Sequence, residues 1–241
     1  MANDPSQAPL RGLGGPRSFF VTGTDTGIGK TVASCALLQA LTDRGVRAVG
    51  MKPVASGCSS TPAGLRNDDA LALQRVGQRA RYDLVNPCAY EPPIAPHLAA
   101  RAAQRPISLE HIEASYRQLL ALAEVVVVEG AGGWRVPLDA DLTLAEIPRR
   151  LGLDVVLVVG IRLGCLNHGL LTAEAIHRDG LELRGWIANC VEPPDTNDAA
   201  QIETLQRRLR APLLGVLPHQ PDALPERLAA HLDVRLLLGT S

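Results

Sequence analysis

Residues 19–31, FFVTGTDTGIGKT, constrain this chain more than any other stretch. Apolar residues of strand type run straight into Gly23, Gly27 and Gly29, and then into Lys30 and Thr31, where a helix can begin. A strand, a glycine-rich turn and a helix start make a nest of backbone N–H groups with the positive end of a helix dipole behind it, a receptor for phosphate. In such a loop the lysine bridges the outer phosphates of a nucleotide and the threonine hydroxyl ligates magnesium. The usual spacing puts four residues between the first glycine and Gly-Lys. Here five separate Gly23 from Gly29, and Thr24 stands where the first glycine would be. The order of strand, turn and helix supplies the context that the altered spacing lacks; the bland alternative is a glycine-rich turn with no ligand.

Further along, short β-branched runs alternate with stretches of helical spacing, the pattern of a parallel sheet covered by helices. Strands are expected at 18–22, 46–52, 155–161, 183–189 and 213–217. The four valines of 125–128 read as a strand buried on both faces. A helix at 31–44 stops at Gly45. Asn67 caps another, with Asp68 and Asp69 in its first turn, and Ser108 opens a third whose apolar positions Ile112, Tyr116, Leu119 and Leu120 recur at three and four. Further helices are expected near 143–151, 167–179, 196–209 and 222–232. With no repeat, low-complexity block or linker, residues 18–241 read as a single α/β domain, a mostly parallel sheet flanked by helices in the three-layer manner of P-loop NTPases. Residues 1–17, rich in proline and glycine, read as a flexible leader. The stretch 87–106 holds Pro87, Pro92, Pro93, Pro96 and Pro106 and is expected to be an irregular loop, of the kind that lines a binding site or simply crosses the surface.

Composition excludes several classes of function. With 24 basic and 25 acidic side chains the formal charge is −1, so there is no broad field for nucleic acid. No apolar run approaches the length of a bilayer span, and no metal or redox spacing joins the five cysteines, which suits a reducing cytoplasm. The basic residues are nearly all arginine; Lys30 and Lys52 are the two lysines. Arginine's planar fork crowds a phosphate nest, whereas lysine is a compact point charge.

Two carboxylates match the loop chemically. Glu129 ends the valine strand and precedes Gly130, Ala131, Gly132 and Gly133, which places it at the carboxyl end of a central strand, where ligands bind in open α/β sheets. There it can hold magnesium or its water, or serve only as a turn carboxylate. Asp69 is favoured in a first helical turn by the dipole alone, so by spacing it reads as structural.

Several strings in order resemble dethiobiotin synthetases: GTDTGIGKT at 23–31, MKPVASG at 51–57, GLRNDDALAL at 64–73, VVEGAGGW at 127–134 and LGCLNH at 163–168. The resemblance runs from about residue 18 to 217. It implies an ATP- and magnesium-dependent homodimeric ligase acting on the small molecules 7,8-diaminononanoate and carbon dioxide. One amine is carboxylated to a carbamate, ATP phosphorylates it, and the second amine closes the ureido ring on the mixed anhydride. The resemblance makes Lys30 and Lys52 catalytic and Thr31, Asp69 and Glu129 metal ligands, raising Asp69 from a structural to a functional reading. Thr26 and Ser56 would bind the substrate. The nucleotide would contact Gly27, Ile28, Gly29, Lys30, Thr31 and Val32, then Asp69, then Glu129, Gly130, Ala131 and Gly132, with Asn189 reading the base beside Cys190, Pro218, His219 and Gln220. Asn189 could instead be a turn-forming residue after its strand.

Two departures stand out: Gly27 occupies a position where several family members carry glutamate, and the correspondence is loose beyond Gln220. His168 could cap a helix or meet a substrate carboxylate across a dimer. Two other functions fit the chain less well. A partitioning-type ATPase would carry a signature lysine five positions before Lys30, where this chain has Asp25. An amide-forming synthetase for a larger substrate would carry a glutaminase domain and a nucleophilic cysteine, for which this chain has neither the length nor a recognisable turn.

Overall fold

The computed structural model describes residues 18–220 and 222–238. The leader expected over 1–17 lies outside the described residues. In chain order the elements are β1 (Phe19–Gly23), α1 (Lys30–Thr42), β2 (Ala48–Met51), β3 (Val54–Ala55), β4 (Ser59–Thr61), β5 (Gly64–Arg66), α2 (Asp68–Val76), α3 (Tyr82–Val85), β6 (Cys88–Ala89), α4 (Pro96–Ala102), α5 (Leu109–Leu120), β7 (Val125–Glu129), α6 (Glu146–Leu151), β8 (Asp154–Ile161), α7 (Cys165–Arg178), β9 (Leu183–Cys190), α8 (Asp198–Arg208), β10 (Leu213–Leu217), α9 (Pro225–Ala229) and α10 (Arg235–Leu238).

Six parallel strands form the main sheet in the order β10-β9-β8-β1-β7-β2. Side chains alternate across it, so each strand feeds two cores. Phe19, Val21, Val125, Val127, Val156 and Val158 pack with Leu37, Leu38 and Leu41 of α1, Leu73 of α2 and Leu228 of α9. Phe20, Val126, Val128, Val155, Leu157 and Val159 pack on the other side with Ile112 and Leu119 of α5, Ile147 of α6, Ile176 of α7 and Leu205 of α8. All four valines of β7 are fully buried, at about 1.5–3 kcal/mol each, and only a strand covered on both faces realises that.

The chain runs from β1 out to β2, returns to β7 beside β1, and then crosses to β8 on β1's other side. Strand order therefore reverses at β1, and a crevice opens at its carboxyl end. Local signals read from sequence reappear. Asn67 Oδ1 accepts from the Ala70 N–H, and Ser108 Oγ from the His111 N–H at 3.0 Å.

Two expectations change. The five-proline stretch is only partly irregular: β6 pairs in parallel with β3, and Pro96 sits at the first position of α4, where a missing N–H costs nothing. The helix expected at 222–232 shrinks to Pro225–Ala229, because Pro225 sets its start. The β4–β5 hairpin, α3 and α10 carried no sequence signal.

Candidate active site

The loop after β1 turns through two left-handed glycines, Gly27 at φ 74° and Gly29 at φ 81°, a region other residues enter at a cost of about 1–2 kcal/mol. Space adds a second reason at Gly29. A Cβ there would lie 2.1 Å from Asn189 Nδ2. That amide reaches across from β9 and donates to the Ile28 carbonyl at 2.8 Å, so the loop is clamped to a strand far away in sequence. Ile28's side chain is buried while Val32 is exposed on the first turn of α1. The position of Asp25 is not cationic: its carboxylate accepts from the Thr26 N–H and pairs with Arg162.

Lys30 opens α1, is 7% exposed, and donates from Nζ to the Asp25 carbonyl at 2.7 Å. Burial, seconded by the charge of Lys52, brings its pKa down to about 8, and the carboxylates of Glu129, Asp69 and Asp25 only partly oppose this.

Lys52 follows β2 and is 4% exposed. Its Nζ donates to Glu129 Oε1 at 2.7 Å, Asp69 Oδ2 at 2.8 Å and the Gly130 carbonyl at 3.1 Å. Burial works against its charge, but Glu129 and Asp69 outweigh burial and raise its pKa. For Asp69 likewise, burial is overcome by Lys52, and its pKa is lowered. Backbone contacts fix this lysine: its N–H donates to the Val85 carbonyl at 2.7 Å, and Asn86 Nδ2 donates to the Lys52 carbonyl at 2.6 Å. Tyr82 accepts from the Asn67 N–H and donates to Asn86 Oδ1, tying Lys52 to the cap of the helix that carries Asp69.

Glu129 is wholly buried. Its Oε1 also accepts from Thr31 Oγ1 at 2.8 Å, while its Oε2 is buried with no partner. A carboxylate oxygen left so is costly unless a donor or cation meets it. The following loop is anchored by Trp134, whose Nε1 donates to Asp179 Oδ2 and whose ring meets Phe20 edge-on.

These groups share one cleft of about 790 Å³. Thr26, Gly27, Gly29, Lys30, Thr31, Lys52, Ser56, Asp69, Glu129, Ala131 and Gly132 line it, as do Ala55, Asn67, Val136 and the 93–96 turn of the proline-rich stretch. Gly130 takes part through its carbonyl. Asn189, Cys190, Pro218, His219 and Gln220 lie apart from this lining, at the carboxyl ends of β9 and β10, where Leu217 pairs with Asn189. Asn86 and Tyr82 were not foreseen; they act through backbone groups, which leave no motif. Among the described residues no three His, Cys, Asp or Glu side chains could hold a metal by themselves, so a cation here would need the Thr31 hydroxyl and ligand oxygens. Burial pushes all five thiols up, Cys35 to about 12, which suits none of them to nucleophilic attack. Among the described residues no helix is long and apolar enough to cross a membrane.

Comparison with known proteins agrees with this architecture. An AAA domain family model matches residues 17–227. A protein of Pseudomonas paraeruginosa (strain DSM 24068 / PA7) named ATP-dependent dethiobiotin synthetase is 54% identical over 222 residues, 91% of this chain and 97% of the relative. Proteins of the same name from Xanthomonas oryzae pv. oryzae (strain PXO99A) and Pseudescherichia vulneris are 56% identical (86% of this chain, 93% of the relative) and 50% identical (92% and 94%). Among solved structures, the MinC:MinD cell division protein complex of Aquifex aeolicus matches with a TM-score of 0.60 at 15% identity, covering 93% of this chain and 96% of that one. Chloroplast FtsY of Physcomitrella patens matches at 0.55 and 17%, covering 95% and 66%. At such identities these likenesses speak for the fold alone, a P-loop NTPase-type three-layer sheet.

Proposed function

The chain belongs to the ATP-dependent dethiobiotin synthetase family and is an ATP-dependent ligase of biotin synthesis; from that premise we propose that it closes the ureido ring of dethiobiotin on 7,8-diaminononanoate and carbon dioxide. One amine attacks carbon dioxide and loses a proton, giving a carbamate. A carbamate oxygen attacks the terminal phosphorus of ATP and the bond to ADP breaks. The second amine then attacks the carbonyl carbon of the mixed anhydride, phosphate leaves, and a proton is lost as the ring closes.

The observation that carries this reading is a buried lysine ammonium set beside two carboxylates at the mouth of a phosphate loop. A carbamate and a triphosphate are both anions, and bringing them within bonding distance in a dry cleft demands fixed cations. Lys30, with the N-terminus of α1 behind it, receives the phosphates. Lys52 holds the carbamate and its phosphorylated form, and Thr26 and Ser56 hydrogen-bond the substrate. Magnesium fits the residues present: Thr31, Asp69 and Glu129 offer hard oxygen donors, and Glu129 Oε2 is buried and unpartnered. When bound, it neutralises charge on the phosphate oxygens. Asn189, with Pro218 to Gln220 following the neighbouring strand, receives the base.

Exposed Leu163, in the turn before α7, and exposed Leu171, on α7, support a homodimer through that region. A sedimentation mass of one chain at micromolar concentration would contradict it. The free cysteines support a reducing cytoplasm as its compartment. Incubation with ATP, magnesium, bicarbonate and 7,8-diaminononanoate should yield dethiobiotin by mass. Folded protein that makes none under saturating conditions refutes the reading.

A further inference from the structure

Lys52 spends its whole ammonium inside the protein. That group has three donors and no acceptor, and its three partners are Asp69 Oδ2 at 2.8 Å, Glu129 Oε1 at 2.7 Å and the Gly130 carbonyl at 3.1 Å. A side chain so committed has no N–H left for a carbamate. Two of those partners belong to the carboxylates assigned above to the divalent cation, and Thr31, the third residue assigned to it, donates its hydroxyl to Glu129 Oε1 at 2.8 Å. Glu129 is wholly buried and Asp69 half-buried beside it, and a carboxylate held out of water requires a cation at hand. A second cation at the same carboxylates would meet the first at close range in a poorly screened place.

We propose that Lys52 and the divalent cation are alternative occupants of the Asp69 and Glu129 carboxylates, so that Lys52 becomes available to the substrate when the nucleotide brings the cation in. This rests on the function proposed above and adds an order to it. Substrate capture is coupled to nucleotide loading, and by linkage the bound carbamate in turn strengthens the cation's hold. The balance of charge in the cleft supports the exchange. Two lysines face two carboxylates in the cleft, and a cation arriving with a polyphosphate lets Lys52 turn to a new anion without leaving either carboxylate bare.

The sequence makes the test unusually direct, because Lys30 and Lys52 are its two lysines. Full-length protein labelled with nitrogen-15 at lysine Nζ has two side-chain ammonium signals, assigned by Lys30→Arg. A non-hydrolysable ATP analogue with chelator should shift Lys30 alone. Magnesium added to that complex should shift Lys52 and speed exchange of its hydrogens with water roughly tenfold, the equivalent at about 1.4 kcal/mol per decade of one net hydrogen bond. If Lys30 responds and Lys52 does not, the exchange is overturned while the nucleotide site stands. If neither responds at saturation, both fail. A second arm measures manganese binding without nucleotide by electron paramagnetic resonance. Lys52→Gln, which removes the competing cation, should bind manganese roughly tenfold more tightly than the unaltered protein. Equal or weaker binding by folded variant overturns the proposal, and the labelled unaltered protein decides the matter if the variant does not fold.

Discussion

Lys30 and Lys52 end in the same cleft and are similarly buried, 7% and 4% exposed, yet their surroundings push them in opposite directions. Lys30 rests on a neutral carbonyl, and burial brings it down to about 8. Lys52 rests on two carboxylates, and they raise it. Partners rather than burial set the outcome. The loop around Lys30 is built from backbone, glycine conformations and one distant amide, and its own carboxylate, Asp25, is held by the Thr26 N–H and Arg162. The pocket around Lys52 is built from side-chain charges that already pair with one another, with Glu129 Oε2 left over. One region waits for an anion; the other must let go of one.

Substitutions can break or sharpen this contrast. The largest effect should follow Glu129→Gln, which keeps the size of a wholly buried side chain but leaves Lys52 with Asp69 as its one carboxylate. Ring closure is expected to fall about a thousandfold, and urea unfolding to show a loss of about 3 kcal/mol. Near-normal turnover would show that the charged pocket is not the reacting end.

Next comes Gly29→Ala, whose Cβ would press on Asn189 at a φ of 81°. Nucleotide affinity, measured by calorimetry, should drop about a hundredfold through strain in the loop. An unchanged affinity would mean that the clamp from β9 is loose.

The pH dependence of nucleotide binding, taken with chelator present, should come third. Bound phosphate favours the Lys30 ammonium, so below pH 8 the charged form is already there and affinity is flat. Above about 8 the free protein must take up a proton to bind, and affinity should fall by up to about tenfold per pH unit. A flat profile to pH 9.5 would place Lys30 in a less buried setting than described.

The smallest change is expected for Asn189→Ala. It leaves the buried Ile28 carbonyl without its donor and should weaken nucleotide binding roughly fivefold, about 1 kcal/mol, with turnover at saturation little altered.

Much of this was legible because it is local. The glycine loop, the valine strand and the caps at Asn67 and Ser108 are each encoded within a few residues, and Glu129 announces itself by ending a doubly buried strand. Asp69 did not: an acid in a first helical turn looks structural, and only the family resemblance raised it before the fold brought it to Lys52. The hold of Asn189 on Ile28 spans 161 positions, and nothing at either end signals it. Asn86 positions Lys52 through a main-chain carbonyl, a role any polar residue could advertise equally little. The proline-rich stretch was read as irregular because each proline removes a donor. The fold seats Pro96 where no donor is needed, and residues 93–96 of the stretch line the cleft. The scarcity of lysine, by contrast, was visible in composition, and the structure puts both lysines in one place.

Ring closure and nucleotide affinity, measured on one preparation of Lys52→Gln, test the division of labour most directly. Dethiobiotin formation at saturating ATP should fall at least about a thousandfold, while the nucleotide Kd, read with chelator present, stays within about threefold of the unaltered protein. Turnover at the original rate, or a loss of nucleotide binding in its place, would contradict the account.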